Sequence, residues 1–216
     1  MDLSEALRTT GSARNFTDEA VDDATVAAVL DDARFAPSGG NRQPWRVALV
    51  KDPVIRRHLA GLMTAVWQEY LGESRDPSRT PFAFGRSFGA EPVAEPNPLL
   101  DDIERVPVVL SIAADLTKIA LMDGDADRPP MTGGASIYPF CWSILLAARA
   151  RGLGGVLTTF LSRAEAQAAA SLALPPDHAI VATIFLGHPV RLNTELRRRP
   201  VSTFTTIDRF DGAPLT

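Results

Sequence analysis

The amino-acid sequence predicts an α+β fold in which helices and strands follow one another without regular alternation. Apolar residues recur at three- and four-residue spacing between positions 23 and 35, which indicates a helix with one buried stripe. By contrast, 106–113 is a continuous apolar run, typical of a strand that is buried on both faces. This irregular order of elements favours a layered α+β fold over a doubly wound one.

The individual elements follow from their periodicity and from their end signals. Asp52 and Pro53 have the character of an N-cap and a first helical residue. Ser162 and Glu165 have the spacing of a capping box that opens an alanine-rich helix. Helices are therefore predicted at 2–8, 23–35, 53–70 and 135–150, with a further one after Ser162. Strands are predicted at 45–50, 106–113, 154–160 and 179–186.

The helix predicted at 135–150 is apolar on most of its sides, so we expect it to be central and packed all round. Pro139 falls in its first turns and marks either the true start or a kink. Gly152 is positioned to end it. Cys141 lies within this helix, and we interpret it as a small core residue rather than a nucleophile.

The chain is predicted to form one domain over residues 1–216, with two irregular segments. Residues 72–100 are rich in proline and glycine and far longer than an ordinary connection. That segment is either disordered or a functional cover, and its phenylalanines favour the cover. Residues 190–216 read as a polar, basic, extended tail that contains three consecutive arginines.

Composition excludes several classes of function. The net charge of −4 and the absence of a basic stripe argue against nucleic-acid binding. The single cysteine excludes an intrachain disulfide and fits a reducing compartment. No secretory signal or long apolar run is visible, so we expect a cytoplasmic protein without a membrane anchor. The three histidines lie far apart in sequence, and no metal site is predicted.

The most informative segment is 36–45, which reads APSGGNRQPW and joins a helix to a strand. It carries the hydroxyl of Ser38 and the carboxamides of Asn41 and Gln43, and carboxamides suit the mixed hydrogen-bonding edge of a planar heterocycle. The alternative is a connector whose polar groups satisfy only their own backbone. No dinucleotide loop, phosphate-binding loop, nucleophile elbow or metal set accompanies it, so the chemistry is open to delegation to a cofactor.

Four segments in order resemble the FMN-dependent nitroreductase family. They are Arg8–Phe16, the APSGGNRQPW loop, the apolar helix that runs through 152–155 into 156–159, and 197–201. The resemblance implies a central mixed, mainly antiparallel sheet flanked by helices, in an intertwined homodimer. Two FMN sites would lie at the subunit interface, each built from both chains.

The resemblance also implies roles for single residues. Ser12 and Arg14 would hold the phosphate and ribityl end of FMN, or, for Arg14, the O2 edge of the ring. Arg198, with Arg199 beside it, would hold the phosphate. The implied cofactor-binding residues are Ser12, Arg14, Pro37, Ser38, Gly39, Asn41, Leu157, Thr158, Thr159, Arg198 and Arg199. Pro37–Gly39 would reach the partner subunit's flavin, and 157–159 would lie near flavin N5 and O4.

The implied activity is transfer of hydride from NADH or NADPH, through flavin N5, to a nitroaromatic, a quinone or a similar small acceptor. No catalytic side chain is assigned, and Phe82 or Phe84 would set the shape of the acceptor pocket. Two alternatives stay open: a flavin-consuming or dehalogenating enzyme on the same fold, and a non-enzymatic flavin-binding dimer. Thr10 and Gly11 stand where the family often has a second basic residue, so phosphate anchoring would lean on the tail arginines.

Overall fold

Four antiparallel strands form one sheet in the computed structural model, which describes residues 1–75 and 88–215. The strands are β1 (Trp45–Leu49), β2 (Val108–Asp115), β3 (Gly154–Thr158) and β4 (His178–Gly187), in the spatial order β1-β2-β4-β3. A register shift between Ile112 and Ala113 marks a bulge in β2. An isolated parallel bridge joins Ser12 to Gly155 at the free edge of β3. The predicted, mainly antiparallel sheet is therefore confirmed.

Helices cover both faces of this sheet. They are α1 (Leu3–Thr9), α2 (Asp23–Ala33), α3 (Pro53–Arg75), α4 (Pro98–Asp101), α5 (Tyr138–Ala150), α6 (Phe160–Arg163) and α7 (Glu165–Leu172). Three of them start at an aspartate that caps free backbone N–H groups. The Asp2 carboxylate accepts from Glu5 N at 2.8 Å, the Asp22 carboxylate from Thr25 N at 2.7 Å, and the Asp52 carboxylate from Val54 N at 2.7 Å.

The sheet separates two hydrophobic clusters, and alternate residues of β2 belong to opposite ones. Leu110 and Ile112 pack with α2 and α5 on one face, whereas Val109 packs with α3, α6 and α7 on the other. All residues of β2 up to Ala114 are buried. This confirms the expectation that the apolar run forms a strand covered on both faces, because alternate side chains of a strand point to opposite sides.

The irregular segment predicted at 72–100 is narrower than expected, because α3 continues to Arg75 and α4 begins at Pro98. The described part from residue 88 onward packs on α3. The carboxylate of the buried Glu73 accepts from Gly89 N at 2.5 Å and from Ala90 N at 2.8 Å. This tertiary contact supports the last turn of the helix, and nothing in the local sequence pattern indicated it. Phe82 and Phe84 lie outside the described residues.

The predicted capping box is wrong. Ser162 lies inside α6, and Ala164 precedes α7 without a side-chain cap. Glu165 instead accepts a hydrogen bond from the backbone N–H of Ile180 on β4, at 2.5 Å. The carboxylate is thus used by a strand that lies distant in sequence, which spacing along the chain cannot reveal.

The expectation that the 135–150 helix is packed all round is also wrong for the single chain. Phe140, Cys141 and Ile144 are buried against the sheet, but Tyr138 and Trp142 are 44% and 40% exposed. These two side chains are four residues apart and share one face of α5. The chain therefore leaves an aromatic face of this helix uncovered. Pro139 lies in the first turn of the helix, as predicted.

Burial makes Cys141 chemically inert. Its side chain is completely buried, and burial raises the pKa of the thiol to about 12. Because the thiolate is the reactive form, we expect no reaction of the folded protein with dithiobis(nitrobenzoate) at about pH 8. The same protein unfolded in urea should release one equivalent of chromophore. Rapid reaction before unfolding would contradict this placement of the cysteine.

Within residues 1–75 and 88–215, no helix is long and apolar enough to cross a bilayer.

Candidate functional site

A cleft with a volume of 530 Å³ opens where β3 ends, and we call it the β3 cleft. Four of the predicted cofactor-binding residues come together in it: Arg14, Leu157, Thr158 and Thr159. The remaining walls come from α3, from the start of α6 and from the segment that leads into α4. Those lining residues are Trp67, Tyr70, Pro96, Asn97, Pro98, Leu99, Leu100 and Phe160.

Arg14 reaches the cleft because the chain around it is attached to the edge of β3. Ala13 N donates to the carbonyl oxygen of Gly155 at 2.9 Å, next to the bridge between Ser12 and Gly155. The approach is close, since a Cβ on Gly154 would lie 2.7 Å from the Cβ of Ala13. A glycine at this position in β3 is therefore what allows the segment that carries Arg14 to lie so near.

The guanidinium of Arg14 makes no hydrogen bond or ion pair with the described residues. Asp18, which lines a small cavity that also borders Arg14, is engaged elsewhere. Its carboxylate accepts from Arg105 at 2.8 Å, and this contact holds the pKa of Asp18 below its ordinary value. Arg14 therefore presents a positive charge that is available to an anionic ligand at the rim of the β3 cleft.

Three aromatic rings form one wall of the β3 cleft. Trp67 and Tyr70 are stacked with ring centroids 5.8 Å apart, and Phe160 lies 5.8 Å from Trp67 at a tilted angle. Trp67 and Tyr70 are one turn apart on α3, so they present their rings side by side. Such a wall suits contact with a planar aromatic ligand.

Two polar atoms of the lining residues test whether a heterocyclic cofactor fits. Trp67 Nε1 and Thr158 Oγ1 are buried, and neither has a hydrogen-bond partner among the residues that the structure describes. Buried polar atoms are rarely left unpaired in folded proteins. A donor and a hydroxyl without partners, beside an aromatic wall and a free guanidinium, fit a flavin with its mixed donor and acceptor edge.

A second cavity, with a volume of 440 Å³, lies against the APSGGNRQPW loop, and we call it the loop cavity. Pro37, Ser38 and Gly39 line it, as do Gly40 and Arg42. Its opposite wall comes from the segment that joins β2 to α5, with the lining residues Lys118, Ala120, Met122, Thr132, Ala135 and Ser136.

The loop is held in a strained conformation by specific hydrogen bonds. Ser38 Oγ accepts from Gln43 N at 3.0 Å, and Ser136 Oγ accepts from Gly39 N at 3.0 Å. Gly40, Asn41 and Gln43 have φ values of 60°, 53° and 46°, which non-glycine residues seldom adopt. Strain of this kind clusters at functional sites, where the surroundings hold it in place.

The two carboxamides of the loop partly follow the connector interpretation. Gln43 Nε2 donates to Asn41 Oδ1 at 3.1 Å, so these side chains bond each other. Asn41 does not line the loop cavity, although its neighbours do. Ser12 likewise lines neither cavity and lies beside the β3 cleft through its bridge to Gly155.

The predicted site is therefore divided into two parts within one chain. The loop cavity lies next to β1 and the β3 cleft next to β3, and these two strands are the opposite edges of the sheet. Three strand spacings of ~4.8 Å separate the edges by about 14 Å. The two cavities share no lining residue.

The tail arginines line neither cavity. Arg198 and Arg199 are exposed, and Arg198 Nη1 donates to the Arg197 carbonyl oxygen at 2.8 Å. The preceding tail nevertheless passes over the segment that carries Ser12. A Cβ on Gly11 would lie only 2.3 Å from the Asn193 carbonyl oxygen, so only glycine admits the tail at this distance.

Sequence reasoning missed several lining residues. Trp67, Tyr70 and Phe160 were not among the predicted site residues, although Phe160 directly follows the predicted segment 157–159. Reading that segment one residue further would have found it. Lys118 and Met122 on the wall of the loop cavity carry no comparable signal, because only tertiary structure brings them to the loop.

Over the described ranges, 1–75 and 88–215, no three His, Cys, Asp or Glu side chains are grouped closely enough to hold a metal ion. Buried acids and thiols do not point into either cavity as candidate catalysts: Glu73 binds backbone N–H groups, and Cys141 lies in the core. What the two cavities provide is cationic charge, aromatic surface and backbone, which are features for binding a cofactor rather than for acid–base chemistry.

Comparison with known proteins agrees with this geometry. The Nitroreductase family model matches residues 7–188. A 5,6-dimethylbenzimidazole synthase from Rhodospirillum rubrum is 30% identical over 177 residues, which cover 82% of this chain and 76% of the relative. An NADH dehydrogenase from Thermus thermophilus is 25% identical, with 93% of each protein covered.

A solved structure from Desulfovibrio desulfuricans, assigned as a nitroreductase and containing FMN, has the same fold. It matches with a TM-score of 0.69 and 23% identity, over 97% of this chain and 98% of the other. The predicted fold class is thereby confirmed.

Proposed function

The chain belongs to the nitroreductase family, and from this premise we propose that it is an FMN-dependent oxidoreductase. It would pass electrons from NADH or NADPH to a nitroaromatic, a quinone or a similar small acceptor. The observation that carries the proposal is the β3 cleft, where Arg14, Leu157, Thr158 and Thr159 meet beside an aromatic wall. The FMN complex of the Desulfovibrio protein and the name of the Thermus relative support the cofactor and the donor.

FMN, when bound, supplies the chemistry by accepting a hydride from the nicotinamide at N5 and passing it on. The residues of this chain bind and orient the group. Arg14 would hold negative charge, either at the phosphate or at the O2 edge of the ring. Trp67, Tyr70 and Phe160 would exclude water from one side of the cleft. The tail that passes over Gly11 would bring Arg198 toward the phosphate, with Arg199 as the neighbouring candidate.

The division of the site supports a homodimer in which each flavin contacts both chains. In one chain the loop cavity lies too far from the β3 cleft to serve the same cofactor. In a two-fold dimer, Pro37–Gly39 of one subunit would meet the β3 cleft of the other. The uncovered face of α5, with Tyr138 and Trp142, is a candidate for the surface that the partner covers.

This arrangement predicts complementation between two defective variants. Arg14→Ala removes a contact in the β3 cleft, and Gly39→Trp places a bulky ring in the loop cavity, where a Cβ meets Ser136 Oγ at an ordinary 3.5 Å. Each variant alone should lose activity. Subunits that are unfolded together and refolded as a mixture should recover about a quarter of the wild-type sites, because each mixed dimer contains one intact site.

The control is a mixture of the two variants refolded separately. Recovery that requires joint refolding supports a site built from both chains. Joint refolding that gives no more activity than the average of the two variants would contradict the composite site, while leaving flavin binding itself intact.

A second function is favoured by a specific observation, the 30% identity to a 5,6-dimethylbenzimidazole synthase. On this alternative the chain would consume reduced flavin together with oxygen. The β3 cleft would then enclose the flavin as a substrate, with Pro96–Leu100 as part of the enclosure.

One experiment separates the two functions. The purified protein is loaded with FMN and reduced anaerobically with NADH or NADPH, and then given either a panel of nitroaromatics and quinones or oxygen alone. Repeated bleaching and recovery of the flavin spectrum supports the oxidoreductase. Irreversible loss of the spectrum under oxygen, with 5,6-dimethylbenzimidazole found by mass spectrometry, supports the alternative. Protein that binds no FMN would exclude both.

A further inference from the structure

The loop cavity has an unusual charge balance for a protein with a net charge of −4. Two of its eleven lining residues are cationic, Arg42 and Lys118, and none is acidic. The other lining residues are small, apolar or uncharged. A cavity of this size is suited to a small ligand, and the sign of its lining determines which ligands it attracts.

Arg42 is the more available of the two cations. Lys118 is paired with Asp115 at 3.2 Å, whereas Arg42 has no hydrogen bond or ion pair from its side chain to the described residues. Its guanidine folds back over the loop, since a Cβ on Gly40 would meet Arg42 Nε at 3.5 Å. An exposed arginine without a carboxylate partner, held against the wall of a cavity, is positioned to bind an anion.

The nearby acids do not cancel this charge. Asp115 accepts from Thr117 at 2.6 Å as well as pairing with Lys118. Asp123 lies beside Thr132 but is enclosed by its own partners, with Arg128 at 2.6 Å and Met131 N at 2.8 Å. Both carboxylates are thus neutralised locally, and neither lines the cavity.

The position of Arg42 is fixed by the strained loop rather than by chance of a flexible side chain. Asn41 and Gln43, its two neighbours, both have positive φ, and the backbone of Gln43 is tied to Ser38 Oγ at 3.0 Å. This holds the Cα of Arg42 at the rim of the cavity. A charged group on a fixed backbone loses less conformational freedom when it binds a ligand than one on a mobile loop does.

We propose that Arg42 makes this enzyme selective for small aromatic acceptors that carry an anionic group, such as a carboxylate. The proposal rests on the proposed function, because it assumes that the acceptor enters beside the loop cavity. The guanidinium would pair with the anionic substituent, and Lys118 would add a weaker, screened attraction. The ring would lie over Gly39 and Gly40, where the backbone admits close contact.

The test compares two acceptors of nearly identical shape, 4-nitrobenzoate and 4-nitrobenzamide. Each is titrated into the FMN-loaded protein, and the dissociation constant is measured from the change in the flavin absorption spectrum. Wild-type protein should bind the carboxylate about tenfold more tightly than the amide, as expected for one charge-assisted hydrogen bond. In Arg42→Gln this ratio should fall to near one, and kcat/KM for the two acceptors should converge in parallel.

Arg34→Gln is the matched control, because Arg34 is an exposed arginine of the preceding helix end that lines neither cavity and pairs with Asp31 at 2.6 Å. This variant should retain the wild-type ratio. Equal binding of both acceptors by wild-type protein, or a ratio that Arg42→Gln leaves unchanged, would overturn the proposal. A ratio that Arg34→Gln lowers as far as Arg42→Gln would overturn it too, because general surface charge would then explain the preference.

Two further arms separate other outcomes. If Arg42→Gln instead weakens NADPH relative to NADH, the anion recognised is the phosphate of the nucleotide, and the acceptor proposal is wrong. If the protein binds no FMN, the proposed function fails. Calorimetric titration of the two benzoate analogues into the flavin-free protein then decides the role of Arg42 by itself.

Discussion

Replacing Arg14 by alanine is expected to weaken FMN binding by about 10- to 100-fold, which corresponds to one lost charge-assisted contact. Arg14 lines the β3 cleft, and its guanidinium has no partner among the described residues. Removing it therefore breaks no internal contact that the structure shows, and its effect should fall on the ligand. The dissociation constant can be measured by the quenching of flavin fluorescence as apoprotein is added.

Arg8→Ala is the control for this variant. Arg8 lies in the last turn of α1, is exposed and lines neither cavity. Its replacement should leave FMN affinity within about twofold of wild type, apart from a small general effect of surface charge. Equal FMN affinity in wild type and Arg14→Ala would show that the phosphate and the O2 edge are held elsewhere, with the tail arginines the next candidates.

Replacing Arg56 by methionine should lower the free energy of unfolding by about 3 kcal/mol or more. Arg56 is only 7% exposed, and its guanidinium holds α3 against the segment that enters β2. Nε donates to the Val50 carbonyl oxygen at 2.8 Å, and Nη1 donates to the Val106 carbonyl oxygen at 2.7 Å. Longer contacts reach the carbonyls of Ile103, Glu104 and Pro107.

The physical reason for this large effect is the set of acceptors that the variant leaves behind. Burial lowers the pKa of the Arg56 guanidinium, and the nearby Glu104 partly offsets this. The charge nevertheless persists because an arginine remains protonated at any ordinary pH. Methionine fills much of the same volume but donates no hydrogen bond, so several buried carbonyl oxygens lose their donor.

The next residue provides a matched control. Arg57 is exposed and pairs with the Glu104 carboxylate at the surface, so Arg57→Met should cost less than about 1 kcal/mol. Both variants are compared with wild type by urea unfolding at one protein concentration, because assembly would couple stability to concentration. Equal midpoints for the two variants would contradict the structural role assigned to Arg56.

Much of the fold was predictable because its determinants are local. The strands and long helices lie at or near the predicted positions, since periodicity and aspartate caps mark them within a few residues of chain. The failures share one cause. Glu73 and Glu165 both accept hydrogen bonds from backbone groups distant in sequence, and those contacts changed the end of α3 and the start of α7.

The candidate site was predictable in its parts but not in its arrangement. Arg14 and 157–159 were expected to act together, and the structure brings them into one cleft. Trp67 and Tyr70 are one helical turn apart on α3, a spacing equally typical of a core stripe, so the sequence offered no reason to choose them as a wall. The roles assigned to Asn41, Ser12, Arg198 and Arg199 remain predictions.

By itself, the sequence determined the class of fold, the family resemblance and the loop whose polar groups first suggested a cofactor. These are properties of short segments, which residue type and spacing specify directly. Only the tertiary structure decided that the loop and the β3 cleft stand at opposite edges of the sheet. It also decided that Arg42 and Lys118 share one cavity. Strand order and long-range packing place such residues together or apart, and no periodicity along the chain encodes that distance.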